Sequence, residues 1–159
     1  MDVLHVIKVD HSTIRGLFAS IDRARTDASR TRAFRDLLKQ VRIHLHLEEH
    51  YLYPEVSGLF SRAHVFLDNC LANQRVIRSL LTTGEKLAEK GDLKEAAVKK
   101  ASEELLKAVE GHFSMEEESL MPKIRQGIPT QEREDLGQVF ADVKEDVLNN
   151  PKWLEEKAK

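Results

Sequence analysis

The segment His44-Leu45-His46-Leu47-Glu48-Glu49-His50-Tyr51-Leu52-Tyr53-Pro54 recurs 68 positions later as His112-Phe113-Ser114-Met115-Glu116-Glu117-Glu118-Ser119-Leu120-Met121-Pro122. Both copies read H-x3-E-E-x2-L-x-P. A histidine and a carboxylate four residues apart lie one turn apart on the same helical face, about 6 Å along the axis. Two such pairs on two helices can close around hard metal ions, with imidazoles as terminal ligands and carboxylates free to bridge. A single His-x3-Glu is ordinarily a surface pair. Here duplication, alignment with apolar stripes and a shared height along the helices favour a buried metal site.

The elements that position these pairs are helical. Leu4, Ile7, His11, Ile14, Phe18 and Ile21 follow a 3–4 spacing, with His11 inside the stripe. After a break near Asp27–Ser29, a second stripe carries Phe34, Leu37, Val41, His44, Glu48 and Tyr51 until Pro54 ends the pattern. A third, after Gly58, holds Leu67, Cys70, Gln74, Ile77 and Leu81 and stops near Gly91. Asp92-Leu93-Lys94-Glu95 reads as a capping box opening a fourth helix, which buries Ala101, Leu105, Ala108, His112 and Met115 and ends at Pro122. Thr130, followed by an acidic first turn, opens a short fifth helix to about Leu148, with Trp153 in a polar tail.

Four helices with short connections imply an all-α, antiparallel up-down-up-down bundle over residues 1–125. Residues 126–159 form a C-terminal helical extension that packs on it. Counted from the predicted turns, His11, His44, Glu48, Gln74 and His112 share one layer and point inward. The halves also match upstream of the motif: Asp10-His11-Ser12-Thr13-Ile14-Arg15-Gly16-Leu17 aligns with Asn73-Gln74-Arg75-Val76-Ile77-Arg78-Ser79-Leu80. Each half is thus one helical hairpin, and Gln74 stands where the first half has His11. Inward carboxylates without a cation cost several kcal/mol, and a metal pair resolves that cost.

On Asp10-His11, His44-x3-Glu48-Glu49 with Tyr53-Pro54, and His112-x3-Glu116-Glu117 with Met121-Pro122, the chain resembles the hemerythrin-like HHE family over about residues 5–125. The resemblance implies a four-helix bundle holding two non-heme irons with a bridging oxo or hydroxo group. His11, His44 and His112 would be terminal ligands, with Glu48 and Glu116 the bridges. The family binds dioxygen, handles nitric oxide or peroxide, stores iron or senses redox state, and the fold does not choose among these. The third helix usually supplies a histidine where this chain has Gln74, a weaker ligand. An asymmetric centre follows as the expectation, with one iron fully held and the other more open; a decayed second position is the bland alternative.

Tyr51 points inward one turn beyond Glu48, where it either hydrogen-bonds a bridge or packs at the bundle end; packing is preferred. Cys70 reads as a small core residue ahead of a thiolate ligand. His46 and His50, four apart but off the His44 face, read as surface histidines. His5 and His64 lie too far along their helices to join the layer. Glu49 and Glu117, rotated about 100° from the bridges, are expected to be solvated or in the outer shell. The run Arg23, Arg25, Arg30, Arg32 and Arg35 reads as a solvated bundle end.

The chain has 159 residues, 33% of them charged and 6% aromatic, with a net charge of −2. That suits one soluble helical domain and gives no bulk attraction to nucleic acid or anionic membrane. A lone cysteine, no leader pattern and no membrane-length apolar run lead to the expectation of a cytoplasmic protein without an internal disulfide. Its expected partner is a small diatomic ligand or peroxide. Binding or sensing of dioxygen, nitric oxide or redox state is the leading function, since no substrate pocket can be inferred. Di-iron peroxide decomposition and an interaction module with a degenerate metal site are the alternatives.

Overall fold

The computed structural model describes residues 1–157. Its elements are α1 (Val3–Arg23), α2 (Asp27–Leu47), a π turn (Glu48–Leu52), α3 (Tyr53–Val56), α4 (Ala63–Ala88), α5 (Glu95–Met115), a second π turn (Glu116–Leu120), α6 (Met121–Gly127), α7 (Thr130–Asn149) and α8 (Trp153–Lys157). No strand occurs among the described residues, and no helix is long and apolar enough to cross a membrane. α1, α2 with α3, α4, and α5 with α6 form the antiparallel bundle that the four stripes require.

Local chemistry sets most of the boundaries. Asp2 caps α1 by accepting from Leu4 N at 2.9 Å, and Thr26 caps α2 by accepting from Ser29 N at 3.0 Å. The break between α1 and α2, expected near Asp27–Ser29, therefore falls just before Asp27. The expected capping box before α5 does not form, because Lys94 is the cap residue and has no side-chain cap bond. Instead, buried Thr31 on α2 accepts from Leu93 N at 2.7 Å, so a neighbouring helix satisfies the turn.

The repeated prolines act differently from the expectation. Pro54 and Pro122 do not end their helices; each lies in the first turn of a continuing one, α3 and α6. A helical proline cannot donate to the carbonyl four residues back, and its ring crowds that carbonyl. Widening the preceding turn relieves both problems. Tyr53 N–H bonds Glu48 O and Met121 N–H bonds Glu116 O, five residues back in each case.

The core is split. Phe18, Phe34, Leu37, Val41, Ile77, Leu81 and Leu105 belong to one apolar cluster, and Leu4, Ile7, Leu47, Leu52, Met121 and Ile124 to another. The histidine and glutamate layer lies between them along each helix. α7 extends the second cluster with Phe140, Val143 and Val147, and Trp153 joins it. Trp153, expected in a polar tail, is buried. It sits edge-on to His46 at 4.6 Å between ring centroids. Consequently His46 is a covered residue, not the surface histidine expected, whereas His50 is exposed.

α7 approaches α1 closely at Gly137. A Cβ there would fall 1.8 Å from the Met1 carbonyl oxygen and 3.2 Å from Val3 N. Gly137→Ala should therefore displace the N-terminal segment or the helix and lower stability by about 1–3 kcal/mol, the usual cost of overpacking. Chemical denaturation of both proteins checks this, and unchanged stability would show that this contact is slack.

Candidate metal centre

Four helices meet at the polar layer. His11, His44, Glu48, Gln74, His112 and Glu116 are all essentially inaccessible to solvent, at 0–1% exposure. Burial of this many polar and ionisable groups needs compensation, and the chain supplies only part of it. His44 Nε2 approaches Glu48 Oε1 to 2.8 Å, His11 Nε2 lies 3.5 Å from Glu116 Oε1, and His112 Nε2 lies 3.1 Å from Glu48 Oε2 and 3.3 Å from Glu116 Oε1. Yet His11 Nε2, His44 Nε2, Glu48 Oε1 and Glu116 Oε1 have no hydrogen-bond partner among the described residues. The short His44–Glu48 approach thus lacks the alignment of a hydrogen bond. These same residues, His11, His44, Glu48 and Glu116, each offer a ligand atom, all within 4.8 Å of one another. Two imidazoles and two carboxylates converging on one point form a donor set that fits a borderline-to-hard divalent or trivalent ion.

Glu48 turns Oε1 to this side and Oε2 to the other, whereas Glu116 Oε1 lies between His11 and His112 and its Oε2 faces Tyr53. On the far side Tyr53 Oη lies 3.2 Å from Glu48 Oε2, 3.4 Å from Glu116 Oε2 and 3.4 Å from His112 Nε2. Gln74 Nε2 donates to Glu48 Oε2 at 3.0 Å and to Tyr53 Oη at 3.2 Å. A phenol has one proton to share among these acceptors. The far side is therefore a second group of converging donors, richer in oxygen than the first.

Tyr53, not Tyr51, enters the centre. In a regular α-helix residue 53 would be rotated about 140° from residue 48. The π turn adds a residue and swings it back over Glu48. Tyr51 packs instead against the lower apolar cluster, with its ring 6.2 Å from that of His46. The proline that ends each repeat is the sequence feature that accompanies the π turn, but regular helical counting does not reveal the extra residue. The second copy places Met121 at the position of Tyr53, so only one half brings a hydroxyl. Cys70 is fully buried in the lower cluster; burial first, then the Glu48 charge, pushes its thiol up to about 12. It remains a protonated packing group.

The outer shell is unequal. Asp10 Oδ2 accepts from His44 Nδ1 at 3.1 Å, and Glu117 Oε1 lies 2.6 Å from His11 Nδ1. Arg15 holds Glu117 at 2.9 Å and Glu110 at 2.8 Å, and the His11 ring stacks on Phe113 at 3.7 Å. Glu117 is thus an outer-shell residue, and Asp10 is one that sequence reasoning did not assign. Such partners fix the ring orientation of a ligating imidazole and raise its basicity. The pseudo-equivalent positions behave otherwise. Glu49 pairs with Arg78 at 2.5 Å, Asn73 donates to Met115 Sδ at 3.7 Å, and His112 Nδ1 has no hydrogen-bond partner among the described residues.

Electrostatics within the layer are polarised. Burial opposes charge on His44, but the Glu48 and Asp10 carboxylates prevail and raise it to about 10. Burial and the neighbouring His44 charge press His11 down to about 4. Burial, then the Glu48 charge, drives Glu116 well above the ordinary carboxylate range. Glu48 is held well below that range despite burial, by His44 and by hydrogen bonding from His112.

Buried imidazole–carboxylate pairs in a helical bundle define a class, that of bundle metalloproteins whose ions are held from facing helices. Within it, the chain belongs to the hemerythrin family: the model of the hemerythrin HHE cation-binding domain matches residues 2–124. Neither the curated proteins nor the solved structures yield a match to this chain. It is a metal-binding, hemerythrin-like protein.

The shifts fix a pH dependence for the metal-free chain. His44 keeps its proton to about 10 when folded but only to about 6.5 when unfolded, so its contribution is whole below 6.5 and lost as pH rises through 10. The raised Glu116 acts in the same direction, since the folded chain retains a proton that the unfolded one releases. His11, depressed to about 4, instead costs stability as pH falls below 6.5. Melting temperature in excess chelator should therefore peak near pH 6.5 and decline toward 10. A level or rising profile over the alkaline half would contradict this charge distribution.

Proposed function

We propose that the centre holds two non-heme irons, bridged by Glu48 and Glu116, and that it binds or senses a small ligand such as dioxygen, nitric oxide or peroxide. His11 and His44 would be the terminal ligands of one ion. His112 and Tyr53 would serve the other, with Gln74 donating to the far oxygen of Glu48. The observation carrying this reading is that both buried glutamates lie between the His11–His44 pair and the His112–Tyr53 pair: Glu48 offers one oxygen to each, and Glu116 meets both histidine sides through Oε1 and Tyr53 through Oε2. Iron there would supply a change of oxidation state and an exchangeable coordination position. The chain's own contribution is orientation and dryness: Asp10 and Glu117 fix two imidazoles, and the two apolar clusters exclude bulk water. A layer this buried suits a ligand of very few atoms.

The outer shells support unequal halves, the first firmly built and the second labile. A second reading, peroxide decomposition, is favoured by one feature. Tyr53 adds an oxygen donor beside two carboxylates, and hard oxygen donors favour the higher oxidation state of iron over the lower one needed for reversible dioxygen carriage. Both readings share the metal site and differ in turnover.

Anaerobic titration with ferrous iron should saturate at about two ions per chain. His112→Ala should retain about one ion, and Glu48→Ala should lose at least tenfold in affinity at both. A failure of the unmodified chain to take iron would remove the reading altogether. Tyr53→Phe should alter the absorption spectrum of the iron-loaded protein while Tyr51→Phe leaves it unchanged; equal effects would remove Tyr53 from the site. Gln74→His should slow iron loss to a chelator, and unchanged loss would show that residue 74 does not face the metal. Reversible spectral change with nitric oxide or dioxygen supports binding, whereas sustained oxygen release from peroxide over many turnovers supports the catalytic reading.

A further inference from the structure

The matched domain ends at residue 124, yet a residue 20 positions beyond it contacts Asp10, the carboxylate behind His44. Lys144, on α7, ion-pairs through Nζ with Asp10 Oδ1, while the other oxygen of that carboxylate, Oδ2, accepts from His44 Nδ1 at 3.1 Å. Asp10 is 9% exposed and thus mostly removed from water, so its second oxygen depends on this ammonium group for a strong partner. Further back along the same helix, Arg133 donates to Asp2 at 2.8 Å and to the Ile128 carbonyl at 2.7 Å. The pairs Asp2–Arg133 and Asp10–Lys144 advance together, so α7 runs parallel to α1 and is tied to it at two heights. Between these ties Phe140 and Val143 join the cluster containing Val3, Leu4 and Ile7.

We propose that Lys144 is a positioning residue for the metal centre: it fixes the Asp10 carboxylate, which in turn fixes the His44 ring, so α7 sets how firmly the His11–His44 half holds its ion. This rests on the metal reading above and adds a third shell from outside the matched domain. Of the two imidazoles in that half, His11 receives its outer-shell carboxylate from within the bundle, through Glu117 and Arg15. The His44 side is secured from α7 through Lys144 and Asp10. An unclamped Asp10 carboxylate is free to rotate toward solvent, leaving His44 Nδ1 without its acceptor and the imidazole less basic toward the metal.

The test uses the full chain loaded with one equivalent of Co(II), whose visible spectrum reports ligand geometry, and a chelator chase that reads the rate of metal loss. Lys144→Met keeps the aliphatic stem and removes the charge. It should speed metal loss by about tenfold, the lower end of what removing an outer-shell partner does. Asp10→Asn should do at least as much and shift the Co(II) spectrum the same way. The double variant should lose metal no faster than Asp10→Asn alone, because both changes break one relay. Lys144→Arg should restore retention to within about twofold. Arg133→Met, which unties α7 at its other end without touching Asp10, should leave the chase rate unchanged.

Additive effects in the double variant, or equal acceleration by Arg133→Met, would overturn the relay and leave only a loosened helix. Wild-type retention in Lys144→Met would overturn it as well. In each of these outcomes the unmodified chain still binds metal, and the metal reading survives. Should the unmodified chain take up no ion, that reading falls and this inference falls with it.

Discussion

Two carboxylates and three imidazoles, withdrawn from water at the waist of a small bundle, set the terms for everything around them. Bare ions of like sign cannot share such a space without large cost, and the chain eases this by polarising the group. Burial, then the charge of Glu48, drives Glu116 toward its neutral form, while against burial the Glu48 and Asp10 carboxylates keep His44 charged and burial keeps His11 neutral. A multivalent cation would take over the role of the protons and leave both glutamates ionised.

That constraint explains the divided core. A continuous hydrophobic interior would be the more stable way to pack four helices of this length, yet the apolar residues fall into two clusters with the polar layer between them. Each buried aliphatic or aromatic side chain contributes about 1.5–3 kcal/mol. Flanking the layer on both sides therefore secures its geometry with interactions independent of the charges. It also keeps the ligand atoms dry, where electrostatic interactions are strongest. The extension past the bundle serves the same end: Phe140, Val143 and Trp153 enlarge the lower cluster, and Lys144 reaches the layer's margin.

Asymmetry is the second theme. The two hairpins share the same His-x3-Glu spacing, but their outer shells differ. The His11–His44 side has carboxylates behind both imidazoles. The other side replaces one imidazole with Gln74, leaves His112 Nδ1 unsupported and brings in Tyr53. An unsupported imidazole and a neutral amide bind metal less firmly than buttressed imidazoles do. The two halves thus surround the same pair of glutamates with different partners.

Helix type, bundle architecture and the main polar layer were legible in the sequence because apolar periodicity and the His-x3-Glu spacing are local properties of each helix. The common height of His11, His44, Gln74 and His112 followed from counting residues at a fixed rise. Tertiary structure decided what counting at 3.6 residues per turn cannot carry. A π turn before each proline exchanged Tyr51 for Tyr53 at the centre, and Thr31 replaced a capping box by reaching across from another helix. Trp153 and His46 covered one another because residues a hundred positions apart met on one surface. Lys144 found Asp10 for the same reason: a partner's identity lies in the sequence, but its proximity is fixed only when α7 docks alongside α1.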